Sequence, residues 1–349
     1  MAPLPPFGDA WVLLEWQYYD ELPPAEVRMR GAVRGMLETL DDPYTVLLDP
    51  QPAQQEQYRL SGRYGDIGLE LWWAEEGAVG LSPYPAGPAE LAGIAEGDRL
   101  LSIDGEAVGD AARLDALAGQ LRGEIDTPVT LTVHREPDQT LTFTITRAEV
   151  LRPSVQSRHI PAAGGDIGYM RVTNFTERTV EEATEHLARL KRHGVQTLIL
   201  DVRDNGGGLV EPLRRMAGLF LPSGTTIYYE IDRHRELGVQ VLGQQKFAGP
   251  MVILVNRGTA SATEIFAAAL RENDRATIIG EPTFGKSSIQ ELYPLNDGST
   301  LYITTAVWLT PEQHRLDGVG LTPDVSISPQ VGQDAALQAA LAHLEPLLP

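Results

Sequence analysis

The chain has 349 residues, enough for roughly two or three domains at about 100–200 residues each. Its net charge of −20 argues against a nucleic-acid surface and against attraction to anionic membranes, since both need clustered cations. Cysteine is absent, which removes disulfides, Cys-ligated metals and thiol nucleophiles.

The opening segment, "MAPLPPFGDAWVLLEW", lacks a basic stretch followed by an apolar one, so no signal peptide is expected in it. No run reaches the ~18 apolar residues of a membrane-spanning helix. Residues 1–63 are expected to form a helical region: "DAWVLLEWQYYDEL" and "PAEVRMRGAVRGMLETL" repeat apolar residues every three or four positions. Pro23 and Pro24 separate the two helices, and "DDPYTVLLDPQP" breaks the pattern.

Residues 64–150 read as a small β-rich module. "YGDIGLELWW" and "AVGLSPY" are strands, and "AGIAEGDRLLSIDGEAV" contains turns at Gly97 and at Asp104-Gly105. "DAARLDALAGQLRG" is an amphipathic helix ending at Gly123, and "PVTLTVHRE" with "QTLTFTITRAEV" alternates as a hairpin. The order resembles a PDZ domain. That likeness implies β-augmentation by a peptide, with the loop Gly65, Asp66, Ile67, Gly68 receiving its terminal carboxylate. Asp66 stands where such loops usually have glycine, and its charge opposes capture of a carboxylate. Trp72 and Trp73 either cover the module's core or line its peptide groove.

Residues 151–349 read as an α/β core ending in a helix. "IGYMRV" is a strand. Thr179-x-x-Glu182 has the form of a capping box before the helix "VEEATEHLARLKRHG", with Gly194 following it and Lys191 in its last turn. "VQTLILDV" and "MVILVN" are unbroken apolar runs, as in strands buried on both faces. "ATIIG" and "TLYITTAVWLT" are further strands. "MVILVN", the helix "TEIFAAALREN" and "ATIIG" form a βαβ unit, so its two strands are parallel. With "VQTLILDV" in the same set, the loops "RDNGGG", "RGTASATE" and "EPTFGKSSIQ" meet at the carboxyl edge of the sheet, where open α/β sheets bind ligands.

Those loops bring a glycine cluster, a serine at a helix start and one of three lysines, Lys286. Serine needs a base to take its proton, and lysine serves if burial lowers its pKa from ~10.4 toward ~7–8. Phe284 and Ile289 are candidates to desolvate that amine. Ser261 begins a helix whose positive end favours an oxyanion, and the Ala262 and Gly207 N–H groups are candidate donors to it. Gln290 is placed to orient the amine. Gly280, Gly285, Lys286 and Ser287 also fit the phosphate-cradling G-x-x-x-x-G-K-[ST], but that pattern requires a helix after the lysine, whereas "SSIQELYPLNDGSTLYI" alternates like strands.

The segment "NRGTASATEIFAAALRENDRATIIGEPTFGKSSIQ" resembles the C-terminal processing (tail-specific) serine proteases, as do "LDVRDNGGG", "GVGLTPDV" and "LDDPYTVLLDP". The likeness spans nearly the whole chain. It implies an α/β multi-domain fold: an N-terminal helical segment, a PDZ-like domain and a crotonase/ClpP-like protease core with a mostly parallel sheet. It implies a Ser-Lys dyad of Ser261 and Lys286, supported by Gln290, with Gly207 completing the oxyanion hole. Glu272 stands where the family has Asp, and reads otherwise as a helix-surface charge.

No cofactor and no metal are expected; His186 and His193 lie too far apart on their helix for an H-E-x-x-H zinc site. The expected partners are polypeptides, unfolded or tagged at their carboxyl ends, with a homo-oligomer possible. The resemblance implies a location outside the cytoplasm, and allows the PDZ module to gate the cleft. The alternative is a catalytically inactive PDZ-containing adaptor on the same fold.

Overall fold

The computed structural model describes residues 5–74, 78–109, 114–151, 153–328 and 333–348. It divides into two units: Met1–Ala53 with Ile289–Thr305, and Gln54–Ser288 with Ala306–Pro349.

In the first unit the expected helices are α1 (Pro5–Gln17) and α2 (Ala25–Glu38). Arg28 of α2 stacks its guanidinium 4.3 Å from the Trp11 ring and pairs with Glu15, which joins the two helices. The stretch after α2 is not structureless: β1 (Val46–Leu48) pairs antiparallel with residues 300–302. Arg30 of α2 reaches Asp49 at 3.0 Å and Asp297 at 3.2 Å, tying the helix to the far ends of both paired segments. α3 (Pro50–Ser61), which follows, has Pro50 in its first turn, where the missing N–H costs nothing.

In the second unit the PDZ module runs β2 (Arg63–Asp66), β3 (Leu69–Trp73), β4 (Val79–Pro83), α4 (Pro88–Ala92), β5 (Arg99–Ile103), β6 (Glu106–Ala107), α5 (Leu114–Leu121), β7 (Pro128–Arg135), β8 (Gln139–Thr146) and β9 (Ala148–Leu151). Residues 110–113 of the expected helix lie outside the described residues. The stretch read as one strand, "GDIGLELWW", breaks at Ile67-Gly68, where Gly68 has φ 72°. Its first half pairs with β9; its second half is the edge strand of the order β3-β4-β5-β7-β8. The hairpin of β7 and β8 holds the expected register, Pro128↔Thr146 to Arg135↔Gln139. Alternation sends Val129, Leu131 and Val133 inward against Leu81, Leu100 and Leu121. Trp72 and Trp73 are 41% and 48% exposed, so neither is a core residue.

The core continues with β10 (Val155–Ile160), β11 (Ile167–Val172), α6 (Thr179–Arg192), β12 (Thr197–Asp201), α7 (Val210–Gly218), β13 (Thr226–Ile231), β14 (Glu236–Gln240), β15 (Met251–Val255), α8 (Ala262–Glu272), β16 (Thr277–Gly280), β17 (Ser288–Pro294), β18 (Thr300–Leu309), β19 (Val325–Ser326) and α9 (Ala335–Leu344). One sheet has the order β10-β11-β12-β15-β16-β19, parallel except for the edge pair β10 and β11. β12 and β15 are buried at every residue, as unbroken apolar strands between two layers must be. The fourth apolar run, β18, does not join this sheet: residues 307–309 pair antiparallel with β13. Lys286 leads into a strand rather than a helix, which removes the nucleotide-loop reading.

Two local expectations need correction. Thr179 and Glu182 form no capping box: Glu182 Oε2 instead accepts from Ser154 N and Oγ, both at 2.7 Å, across to the neighbouring strand. Glu272 is no surface charge. Its side chain is 7% exposed, its Oε2 accepts the Glu312 N–H at 2.7 Å, and its Oε1 faces His314 Nδ1 at 3.6 Å.

Candidate active site

β12, β15 and β16 are parallel and end together, so their following loops gather at one edge of the sheet. The first loop, "RDNGGG", is anchored by an ion cluster that runs from the buried Asp201 to the exposed Asp334. Asp201, with no exposed surface, accepts from Arg203 Nε at 2.9 Å and from the Tyr169 hydroxyl at 2.6 Å. Arg203 reaches on to Asp334 with bonds of 2.7 and 2.9 Å, and Asp334 caps α9 by accepting the Leu337 N–H. The cluster reads in its proton affinities. Arg203 holds the Asp334 carboxyl below its ordinary value. Burial, with the bond to Asp201, pushes the Tyr169 phenol up to about 12. Asn205 then shapes the glycines: its Nδ2 donates to Val172 O, and its Oδ1 accepts the Gly207 N–H at 3.0 Å.

Only glycine fits the next two positions. Gly207 and Gly208 have φ of 110° and 138°. A Cβ on Gly207 would lie 3.1 Å from Ser261 Cβ, and one on Gly208 would lie 2.2 Å from Phe175 O. The glycine loop therefore touches the turn that carries the serine. The Gly207 N–H named above as an oxyanion donor is engaged by Asn205.

Ser261 sits between β15 and α8 with φ 56° and ψ −123°, a conformation that costs a non-glycine residue about 1–3 kcal/mol. Such a strained turn before a helix lifts a side-chain hydroxyl out of the surrounding backbone. Ala262 opens the helix, where N–H groups have no intrahelical acceptor. The loop on the serine's N-terminal side is fixed too: Ala260 N donates to Asn205 O at 3.0 Å, and Thr259 Oγ1 to Val202 O at 3.0 Å.

The group that joins serine and lysine is Glu264, which the reading of the loops missed. Its side chain has no exposed surface. Oε2 accepts the Ser261 N–H at 2.8 Å and the Lys286 N–H at 2.9 Å. Oε1 accepts the Gly285 N–H at 2.7 Å and the Thr283 hydroxyl at 2.5 Å. One oxygen thus bridges the backbone of the two residues, and four donors satisfy a carboxylate shut away from water. The signal was present as Ser261-x-x-Glu264, a capping-box spacing. Nothing local marks the bonds to residues 283–286, which are long-range.

Lys286 is half-buried, and its carbonyl accepts the Trp308 indole N–H at 3.1 Å. Trp308 itself is fully buried. Ser287 is a structural pin: its Oγ accepts Leu316 N at 3.1 Å and its N–H donates to Asp317 at 2.8 Å. Phe284, expected to shield the amine, is 56% exposed. Gln290 lies on β17 in the first unit, and its Nε2 donates to Thr304 Oγ1 at 3.0 Å. Ser261, Ala262, Gly207 and Lys286 thus belong to one unit, and Gln290 to the other.

A strained serine at a helix start, a glycine loop against it and a lysine locked to the same carboxylate suit acyl transfer. The sequence comparisons agree. Peptidase family S41 matches residues 166–327, a PDZ domain matches residues 81–135, and the N-terminal domain of the activating protease CtpB matches residues 3–52. The chain is 33% identical over 341 residues to the chloroplastic C-terminal processing peptidase of Tetradesmus obliquus, covering 93% of this chain and 73% of that one. It is 34% identical over 318 residues to the carboxyl-terminal-processing protease of Synechocystis, covering 90% and 74%. The solved structure of a photosystem II D1 C-terminal processing protease superposes with a TM-score of 0.57 at 32% identity, over 98% of this chain and 93% of that one. A putative S41 protease from Bacteroides fragilis shares the fold, with a TM-score of 0.59 at 16% identity. The chain belongs to peptidase family S41, among the carboxyl-terminal processing serine peptidases.

Proposed function

We propose that Ser261 is the nucleophile and Lys286 the general base of an endopeptidase acting near the carboxyl ends of polypeptides. The observation that carries this reading is the Glu264 carboxylate, which holds the backbones of both residues through one oxygen. In the reaction the Ser261 hydroxyl attacks the scissile carbonyl carbon and gives its proton to a neutral Lys286 amine. Ala262 and Gly207 N–H groups stabilise the oxyanion; for Gly207 this requires release of its bond to Asn205. Collapse expels the amine product, which takes the proton from the Lys286 ammonium. Water then attacks the acyl-serine carbonyl, with Lys286 accepting its proton and returning it to the departing Ser261 oxygen. Gln290 supports the base, a role that rests on the family resemblance.

The loop Gly65–Gly68 of the PDZ module is read as its peptide-binding loop, so that the module selects or admits substrate. The substrate class is unfolded or tagged protein. A site of action outside the cytoplasm follows from the family, and the chloroplastic name of the Tetradesmus relative is consistent with it. The test is cleavage of a disordered protein such as casein. Wild type cleaves it, while Ser261→Ala and Lys286→Ala do not, although both keep the wild-type melting curve. Equal turnover by wild type and Ser261→Ala would end the reading, and activity in Lys286→Ala would move the base elsewhere. Removal of residues 64–150 should alter rate or tail preference; no change in either would refute the gating role.

A further inference from the structure

The PDZ loop already holds a carboxylate, and it is the chain's own. Asp66 ends β2, and its Oδ1 accepts the Ile67 N–H at 2.6 Å and the Gly68 N–H at 3.1 Å. Its side chain is 11% exposed, and Oδ2 lies 3.8 Å from Arg122 Nε, just beyond the end of α5. Ile67 and Gly68 immediately precede β3, the edge strand of the module. A peptide added along β3 with its carboxyl end at the loop would bring its terminal carboxylate to these two N–H groups.

Both donors are taken. The open edge of β3 remains, because strand pairing uses its backbone and not the loop. A ligand carboxylate would have to displace Asp66 and then lie beside its charge, and like charges at such a distance oppose one another. A segment that continues past the loop brings no second charge. We propose that Asp66 is a built-in surrogate for a ligand's terminal carboxylate. The module accordingly accepts extended segments from within a chain and does not favour a free carboxyl terminus. Any preference for carboxyl tails is then set elsewhere in the protein. This rests on reading Gly65–Gly68 as the peptide loop.

Asp66 does not have a left-handed backbone, so replacement by other residues is not blocked by strain. The experiment uses the full chain carrying Ser261→Ala, so that bound peptides are not consumed. Two libraries of ten-residue peptides, randomised at the last four positions, are made with free and with amidated carboxyl ends. Retention of each on the immobilised protein is measured. The chain with Asp66 should retain the two libraries equally, within about twofold, and Asp66→Gly or Asp66→Ala should favour the free acids by about tenfold or more. Asp66→Asn, which keeps an oxygen acceptor on the two N–H groups, should stay indifferent. A tenfold acid preference with Asp66 present, or none in Asp66→Gly and Asp66→Ala proteins that still retain peptide, overturns the proposal. Acid preference in Asp66→Asn equal to that of Asp66→Gly overturns occupancy as the cause. Retention of neither library by any of these proteins refutes the peptide-loop reading itself, and the proposal falls with it.

Discussion

Replacing Glu264 separates what its charge does from what its hydrogen bonds do. In Glu264→Gln one oxygen becomes an NH2 group, and the surroundings decide which. An NH2 at the Oε2 position would face two N–H donors, those of Ser261 and Lys286. At the Oε1 position it would face the Gly285 N–H and the Thr283 hydroxyl, which can turn to accept. The amide therefore settles with its oxygen toward Ser261 and Lys286, leaving the Gly285 N–H without an acceptor and the Thr283 hydroxyl proton displaced from its own. Each donor left unmatched costs about 1–3 kcal/mol. Glu264→Ala leaves three such N–H groups, on the order of 3–9 kcal/mol before water enters the space.

The catalytic consequence is graded in the same way. The amide keeps the bridge between the Ser261 and Lys286 backbones, so kcat should fall by no more than about tenfold, with KM unchanged. The alanine variant releases both backbones, and a misplacement of about 1 Å at a reacting group costs about 10²-fold. The assay is kcat and KM on a quenched fluorescent peptide, at a temperature where circular dichroism finds each variant folded. Equal loss in Glu264→Gln and Glu264→Ala would refute the reasoning, because charge rather than the acceptor geometry would then carry the effect. Wild-type kcat in Glu264→Ala would refute it from the other side.

Gly207→Ala adds a Cβ at a φ of 110° and 3.1 Å from Ser261 Cβ, so activity should collapse while stability falls by roughly 1–2 kcal/mol; an active Gly207→Ala enzyme would contradict the loop placement. Arg203→Leu leaves Asp201 buried without its cation and should cost about 3–5 kcal/mol in urea unfolding; a loss under about 1 kcal/mol would show the cluster to be idle. In the PDZ module, burial disfavours the Asp98 carboxylate, but the Arg135 fork and the Ala95 N–H outweigh it and hold the carboxyl below its ordinary value. A depressed folded pKa stabilises above the unfolded value near ~3.9, and that contribution is lost as pH falls through the folded value. Melting temperature should therefore fall more steeply below about pH 4 in wild type than in Asp98→Asn. Parallel curves would remove Asp98 from the acid response.

What the sequence disclosed was the part of the fold with a period or an unbroken apolar run. β12, β15 and β16 were legible because strands buried between layers need no polar side. Their parallel order followed from the helix between β15 and β16, and with it the meeting of the three loops. β1 and α3 were not legible. β1 is three residues long and is specified by its partner at 300–302, and α3 is a polar helix with only Ala53 buried. The break at Ile67-Gly68 was hidden because alternation continues through it. The sheet membership of β18 was hidden too, since an apolar strand does not name its neighbour.

The two S/T-x-x-E patterns carry the same lesson into the site. Thr179-x-x-Glu182 and Ser261-x-x-Glu264 have one spacing and equal local claims to a capping box. At the first, Ser154 offers both its N–H and its hydroxyl to the glutamate, and these across-chain donors draw it away from its own helix. At the second, the carboxylate is enclosed so that the Ser261 N–H and the loop at 283–286 all point at it, and the local bond survives as one of four. A buried carboxylate takes whichever donors arrest it best, because any lone pair left unmatched away from water is costly. The spacing in the sequence thus identifies a glutamate able to reach its helix start, while the donors brought in by the fold decide whether it pins a neighbouring strand or ties the turn at Ser261 to the loop at 283–286.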